Sequence, residues 1–237
     1  MKTCGSIQTN NKLQQSGTAR IAPVMAILLL IALAAIAMPP QRDQDRDHDR
    51  DRDRDRALWV SREQIAVDFG GGHGGRPSPD AQCELGFVAT GFHVQTGEYF
   101  NTAWLDCAPI RPDGRLGDDV RMTGRTGSPG GRPVRDVYCP PAFVLRGLRG
   151  RTGASIDEAA GVCSPLREIA DRFDRPKTEM THTVARPDPG GRPAAAECPL
   201  GSVVTGFRSN SGEYMDHLWV LCSELRGDRD HDRDHDR

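Results

Sequence analysis

Three segments of this chain repeat one pattern, and that repetition constrains the fold more than any other feature. A glycine follows the first cysteine of each segment by eight positions, and another follows it by fourteen. Each segment opens and closes on a cysteine, 24 positions apart: Cys83 and Cys107, Cys139 and Cys163, Cys198 and Cys222. The tetrapeptide Gly-Gly-Arg-Pro precedes each segment, at 74–77, 130–133 and 190–193. Matches at so many fixed offsets indicate three copies of one structural unit.

The six repeated cysteines are expected to form three disulfides, each within its own repeat. A metal site is the alternative, but the chain has neither a Cys-x-x-Cys pair nor paired histidines near these cysteines. The constant spacing then selects the pairing. Closing a loop of about 25 residues restricts the unfolded chain by roughly 3.5 kcal/mol in the chain-entropy model.

Each repeat contains two runs that predict a β-hairpin. The first strands are expected at 88–94, 143–148 and 203–207, and the second strands at 99–110, 156–166 and 214–225. A turn glycine separates the two strands of each hairpin. A further strand is expected at 64–69, 119–125 and 178–184, and a fourth leads into each first cysteine. The repeats therefore span about 64–110, 119–166 and 178–225, with four strands each and twelve in all.

Twelve strands from three like units are compatible with a propeller, a trefoil or a prism. A three-bladed propeller lies below the usual blade number. With 26 glycines and 17 prolines, the composition argues against a helical bundle. The expected fold is all-β: a threefold β-prism of three four-stranded Greek-key units, stapled by three intra-repeat disulfides.

The third repeat carries the pattern through which the chain resembles a known family. It opens with Cys-Pro-x-Gly at 198–201 and continues with Gly206-Phe207, Gly212 and Asp216. This pattern resembles vitelline membrane outer layer protein I, whose family has three such units folded as a β-prism. The resemblance implies a prism over about residues 65–225.

A second resemblance concerns the turns. The glycines at 70–72 and 74–75, together with the stretch 150–157, are similar to jacalin-related lectins, which share the prism. In those lectins a Gly-x-x-x-Asp turn binds sugar with help from a glycine-rich loop. The resemblance implies sugar-binding turns at Gly153–Asp157 and Gly212–Asp216. Gly97–Asn101 departs from the pattern because an amide replaces the carboxylate. The aromatic residue that often follows the glycine loop in those lectins is also absent.

Two interpretations of these turns remain open on the sequence. A tight turn alone explains glycine, which adopts positive φ, and Asp, which caps backbone N–H groups. A sugar site also explains them, because a carboxylate accepts hydrogen bonds from adjacent hydroxyls. Trp104 and Trp219 are expected in the core. The candidate carbohydrate-binding residues are Gly97, Tyr99, Asn101, Gly153, Asp157, Gly212, Tyr214 and Asp216.

Nothing in the sequence assembles a catalytic centre, so we expect no enzyme activity, no cofactor and no metal. His73, His93, His182 and His217 occupy positions that do not match between repeats. The formal net charge of −2 lacks the basic excess of nucleic-acid binders, so no nucleic-acid partner is expected. The expected function is non-catalytic binding of a carbohydrate or glycoconjugate. The alternative is a structural component of an extracellular matrix or coat without a small ligand.

The N-terminal region predicts export. Residues 21–38 are apolar apart from Pro23, basic residues precede them, and Ala35-x-Ala37 suits cleavage. Residues 1–37 are expected to be a signal peptide, or alternatively an uncleaved anchor that would hold the protein at a membrane. Both interpretations place the remainder outside the cytoplasm.

Two Asp/Arg runs flank the repeats, at 42–56 and 228–237, and neither contains an apolar residue. Such runs cannot bury surface to offset the entropy of ordering. Residues 38–56 are therefore expected to be a disordered linker and 228–237 a disordered tail. The three-repeat domain between them spans 57–227.

Overall fold

The computed structural model describes residues 57–172, 176–187 and 189–227. The predicted signal peptide or anchor, the Asp/Arg linker and the tail lie outside these residues, so the domain boundaries remain predictions. Within the described part of the chain, no helix is long and apolar enough to cross a membrane.

The described residues form fifteen strands and one short helix. In chain order the strands before the helix are β1 (Leu58–Gly71), β2 (Arg76–Pro77), β3 (Ala81–Gln82), β4 (Phe87–Thr96), β5 (Phe100–Pro109), β6 (Arg121–Met122), β7 (Thr126–Gly127), β8 (Val134–Tyr138), β9 (Phe143–Thr152) and β10 (Ile156–Pro165). The helix α1 (Leu166–Ala170) is followed by β11 (Glu179–Met180), β12 (Val184–Ala185), β13 (Arg192–Glu197), β14 (Ser202–Ser211) and β15 (Met215–Gly227).

These strands form three sheets with one topology. The first sheet runs β8-β4-β5, with β6 and β7 both paired to the outer edge of β5. The second runs β13-β9-β10, with β11 and β12 in the corresponding place, and the third has β2 and β3 beside β14, then β15 and β1. A hairpin, a third strand beside its second strand and a fourth beside its first is the Greek-key order. The all-β, three-sided Greek-key prism is thus confirmed, with one strand position in each sheet split into two short strands.

Each sheet combines strands from two sequence repeats. The sequence pattern predicts instead that each repeat forms a four-stranded unit by itself. The hairpin β4–β5 comes from the first repeat, whereas its edge strands β6, β7 and β8 precede the cysteine that opens the second. The third sheet closes the ring, because β1 at the start of the domain pairs antiparallel with β15 at its end. The strand that leads into each first cysteine therefore pairs with the hairpin of the neighbouring repeat. Constant spacing along the chain specifies the repeat but leaves this choice of partner open.

The three disulfides connect neighbouring sheets. All three predicted pairs are confirmed, with Cα atoms 5.6–5.7 Å apart. The N–H of Cys83 donates to Thr205 of the third sheet, and its disulfide partner Cys107 lies in β5 of the first sheet. Cys139 and Cys198 make the equivalent bonds, to Thr90 of the first sheet and Arg146 of the second. The three links therefore join third to first, first to second and second to third sheet.

Equivalent residues of the repeats fill the centre of the prism. Three equivalent residues, Phe92, Leu148 and Phe207, are almost fully buried. Each directly follows the glycine that stands eight positions after the first cysteine of its repeat. The rings of Phe92 and Phe207 meet edge to face with centroids 6.0 Å apart. Small side chains stand opposite them on the edge strands and leave room for these larger ones: Ala81, Val137 and Ala196.

A second apolar cluster closes one end of the prism. Val88, Val144 and Val203, which follow the first cysteine of each repeat by five positions, pack with Leu166 and Ile169 of α1. Residue 166 was expected to end a strand. It begins a helix instead, and the spacing of three residues places both apolar side chains on the side of the helix that faces this cluster.

The two matched tryptophans lie outside the apolar clusters described above. Trp104 is only 5% exposed, but it is buried between His93, with ring centroids 5.0 Å apart, and the guanidinium of Arg125, 4.3 Å from its ring. Trp219 is half-buried against His217, with centroids 4.2 Å apart. Trp104 is buried as expected and Trp219 only partly, and both pack against histidine rings instead of joining the apolar clusters.

We predict that the double variant Cys139→Ala/Cys163→Ala lowers the free energy of unfolding by about 2–4 kcal/mol. The reason is that the first and second sheets lose their covalent link and the unfolded chain gains freedom. Urea denaturation of the described domain checks this value, while peptide mapping verifies that the other two disulfides are retained. An unchanged denaturation midpoint with both remaining bridges intact would contradict the proposed role of the links.

Candidate functional site

The three hairpin turns are each closed by the same type of hydrogen bond. The N–H of the turn glycine donates to the carbonyl two residues later, at 2.8 Å for Gly97, 2.9 Å for Gly153 and 3.0 Å for Gly212. The turns also touch one another, since the Asn101 side chain donates to the Glu213 carbonyl of the third turn. They therefore gather at one end of the prism.

The second glycine of each Gly-Gly-Arg-Pro lies against the Asp or Asn of a turn. Gly75, Gly131 and Gly191 all have positive φ, at 74°, 82° and 68°. A Cβ added to them would lie 2.5 Å from Asp216 Oδ2, 2.7 Å from Asn101 Oδ1 and 2.5 Å from Asp157 Oδ2, respectively. Both the backbone conformation and the lack of space require glycine here. Each candidate site thus combines a turn from one repeat with a glycine pair from the next.

The third turn has an available carboxylate. Asp216 is half-buried, and its Oδ2 accepts the N–H of Gly212 at 2.7 Å. Its own carbonyl accepts the N–H of Gly72 at 2.7 Å, which draws the glycine loop 70–75 against the turn. Within the described residues, no cationic side chain pairs with this carboxylate.

The carboxylate of the second turn is occupied. Asp157, a candidate sugar-binding residue on the sequence, is only 3% exposed and forms an ion pair with Arg186. Arg186 follows β12, and its N–H donates to the Asp157 carbonyl at 3.0 Å. Gly72 makes the same bond to Asp216, so it occupies the equivalent position. An arginine side chain covers the second turn where the third has only a hydrogen.

The first turn has an uncharged, buried side chain at the position where the other two turns have an aspartate. Asn101 is 6% exposed, and its carbonyl accepts the N–H of Ser128 at 2.8 Å, the bond equivalent to those of Gly72 and Arg186. Its amide nitrogen lies 3.4 Å from the Glu213 carbonyl. The amide therefore links two turns.

The two candidate tyrosines form one cluster between the first and third turns. The rings of Tyr99 and Tyr214 have centroids 4.3 Å apart, and the Arg186 guanidinium lies 5.3 Å from the Tyr99 ring. Burial raises the pKa of Tyr214, and the hydrogen bond to Glu213 raises it further. Its phenol therefore stays neutral at physiological pH and can both donate and accept a hydrogen bond.

Sequence reasoning missed one residue beside the third turn. His217 is 8% exposed, and its Nδ1 lies 3.0 Å from the Gly72 carbonyl while its Nε2 lies 2.7 Å from Asp68 Oδ1. The residues at the same repeat offset are Thr102 and Glu158, so the repeat pattern did not single it out. The one available signal was a histidine directly after the aspartate of a Gly-x-x-x-Asp turn.

A separate cleft of about 270 Å³ lies away from the turns, along the bulge of β1. Its buried hydroxyls, Thr205 and Ser223, bond to each other at 2.8 Å, and Thr205 also accepts a bond from Gln64. The cleft therefore presents few free polar groups, and the third turn is the better candidate site.

Comparison with solved structures finds similar three-sheet arrangements in lectins. Artocarpin complexed with methyl-α-mannose is 14% identical to this chain, with a TM-score of 0.48. The matched region covers 69% of this chain and 99% of the artocarpin chain. A mannose-binding jacalin-related lectin from Ananas comosus is 16% identical, covering 67% and 98%, with a TM-score of 0.44. A prostate-specific glycoprotein lectin is 14% identical, covering 65% and 97%, with a TM-score of 0.43. At this distance their ligands do not bear on this chain.

No protein-family model matches the sequence, and no characterised protein matches it. The resemblance to vitelline membrane outer layer protein I therefore stays a prediction.

We predict that Gly75→Ala destabilises the protein more than Gly86→Ala, by about 1–3 kcal/mol in the free energy of unfolding. Both glycines have positive φ, so both substitutions strain the backbone. Only at Gly75 would the new Cβ also meet Asp216 and the Ser211 backbone, because Gly86 has nothing within 4 Å. Urea denaturation of the two variants checks this difference, and equal losses would mean that the close approach is unimportant.

Proposed function

We propose that this protein is a non-catalytic carbohydrate-binding protein, and that the third turn with its glycine loop is the binding site. The observation that supports the proposal is the Asp216 carboxylate. Of the three turn side chains, it is the one that is both charged and without a cationic partner in the described part of the chain. It also lies against a loop of five glycines and one histidine, whose backbone a ligand can approach closely.

The chemistry of a sugar suits this arrangement. Two adjacent hydroxyls donate to the carboxylate of Asp216, and backbone N–H groups of the turn and the loop donate to sugar oxygens. Tyr214 adds a neutral hydroxyl and the edge of its ring. Because one Asp216 oxygen already accepts the N–H of Gly212, the turn holds the carboxylate in place before a ligand arrives.

The other two turns stabilise the same end of the prism in this proposal. Asp157 would have to give up its ion pair with Arg186 before it could accept sugar hydroxyls. Asn101 is uncharged, and its amide nitrogen is directed to another turn. One site per chain follows, instead of the three that the repeat pattern suggested.

A structural component of a matrix or coat is the second candidate function. The regular, disulfide-linked prism favours it, because such a scaffold is stable without any ligand. This candidate predicts that Asp216 serves only to close its turn, whereas the binding proposal predicts retention on immobilised sugar.

We further propose that the domain acts outside the cytoplasm. Three disulfides that link sheets are typical of proteins in oxidising compartments. Residues 1–37 would direct export as a signal peptide or anchor, and a membrane is a partner only in the second case. No nucleic-acid partner is proposed.

We predict that Asp216→Asn weakens sugar binding about 10- to 150-fold, the worth of one charge-assisted hydrogen bond. Asp157→Asn is the matched control: it should lower the melting temperature through the lost ion pair with Arg186 and leave affinity unchanged. A glycan array that includes mannose, galactose and glucose first identifies a ligand for the wild-type domain. Calorimetric titration then measures affinity, and thermal melting measures stability, on all three proteins.

The outcomes separate the two candidate functions. No retention of the wild-type domain on any arrayed glycan would favour the structural function. A wild-type domain that binds sugar with unchanged affinity in Asp216→Asn would place the site elsewhere on the molecule.

A further inference from the structure

We infer that His217 is a positioning residue for the sugar site: as an imidazolium it holds the glycine loop against Asp216, and this makes sugar affinity fall as the pH rises. The inference rests on the proposed function for its effect on affinity. Its effect on the loop itself can be measured without any sugar.

The hydrogen-bond partners of His217 determine its protonation. Nε2 lies 2.7 Å from a carboxylate oxygen of Asp68, and Nδ1 lies 3.0 Å from the carbonyl oxygen of Gly72. Neither partner can donate a hydrogen, so both bonds form only if both ring nitrogens carry one. A neutral ring has a single N–H, and because the bond to the charged carboxylate of Asp68 is the stronger, the bond to the Gly72 carbonyl is the one that is lost.

One carboxylate and one aromatic ring lie directly against the imidazole of His217. The side chain of Asp68, on β1, faces it with a negative charge, and Asp216 precedes it on β15. On its own strand the ring packs against the indole of Trp219, with centroids 4.2 Å apart and planes at 32°. A cation on an aromatic ring is stabilised. Its partners in the neighbouring strands, Asn210 on β14 and Gly71 on β1, are uncharged, whereas Arg208 on β14 stands opposite Trp219 and is paired with Asp80.

Gly72 transmits the state of His217 to the sugar site. Its carbonyl accepts from His217, and its N–H donates to the Asp216 carbonyl at 2.7 Å. The peptide group before Gly72 is therefore held by the turn, and the peptide group after it is held by the histidine. The following glycines, Gly74 and Gly75, lie against the Asp216 carboxylate. Loss of the imidazole bond frees the loop that forms one wall of the site.

The other histidine with two bonds provides a matched control. His93 is 6% exposed, and its ring nitrogens lie 2.7 Å from Asp136 and 2.9 Å from Asp106. It also stacks on a tryptophan, Trp104. It resembles His217 in burial and bonding, but its partners lie on strands of the first sheet and it has no bond to the glycine loop.

The first experiment measures the loop without ligand, by amide hydrogen exchange in the wild type, His217→Gln and His93→Gln. Glutamine has one NH₂ donor group and no charge, so it cannot reproduce both bonds at His217. We expect faster exchange of the amides in 70–75 in His217→Gln only, by about fivefold, the worth of one hydrogen bond. Equal exchange in the loop of His217→Gln and the wild type would overturn the inference.

The second experiment measures affinity between about pH 5 and pH 8, the range in which histidine changes its charge. The glycan identified on the array is titrated into each protein. Wild type and His93→Gln should lose about fivefold in affinity as the pH rises, because deprotonation removes one of the two bonds. His217→Gln should be weak throughout and show no such dependence. The same pH dependence in His217→Gln as in the wild type would overturn the inference.

A third variant tests the role of Asp68 directly. Asp68→Asn replaces an acceptor-only carboxylate by an amide whose NH₂ can donate to an unprotonated Nε2, so Nδ1–H can keep its bond to Gly72 and the pH dependence of affinity should disappear. Asp68 has a side chain 63% exposed, and the substitution should leave the fold intact. A pH dependence equal to that of the wild type would contradict the proposed role of Asp68. If no glycan binds to the wild type at any pH, the proposed function fails, while hydrogen exchange still decides whether His217 holds the loop.

Discussion

The disulfides that join each sheet to the next are the constraint on which the rest of the structure depends. Each sheet buries one face against the other two, so the central core exists only when all three sheets are in place. The third sheet is the most demanding, because β1 and β15 come from opposite ends of the domain and their pairing closes a long loop. Cross-links at all three corners shorten the covalent path between these strands. They therefore favour the one pairing that completes the ring.

Because each sheet combines two repeats, the same pairing also builds the end of the molecule that carries the candidate site. Because the strand before each first cysteine joins the neighbouring hairpin, the glycine pair that begins this strand arrives beside the turn of that hairpin. Closure of the third sheet brings the loop 70–75 from the start of the domain to Asp216 near its end. The candidate site thus depends on the same closure as the fold. A variant that opens the third sheet should lose both.

Sequence reasoning reached the repeats, the hairpins and the disulfide pairs because these depend on local patterns and constant spacing. It did not reach the partner of each edge strand, since the spacing is identical whether a strand joins its own hairpin or the next. The Asp157–Arg186 ion pair follows from that partner choice, because only the pairing of β12 with β10 brings Arg186 to the turn. Trp104 and Trp219 were expected in the core because of their strand position, but only Trp104 is fully buried and both stack on histidines. The choice of strand partner decides the first two cases, and the face to which a side chain points decides the third.

One backbone position distinguishes the three turns. Gly72, Ser128 and Arg186 each donate an N–H to the carbonyl of a turn Asp or Asn, so the fold is maintained equally by all three. What differs is the side chain at that position. Arginine neutralises and covers the carboxylate, whereas glycine leaves it open and lets its own carbonyl meet His217. An open carboxylate needs a loop that is held in place without covering it, and a glycine with a histidine behind it satisfies both requirements. Repeats that share a fold can in this way keep two structural turns and one that is available for a ligand.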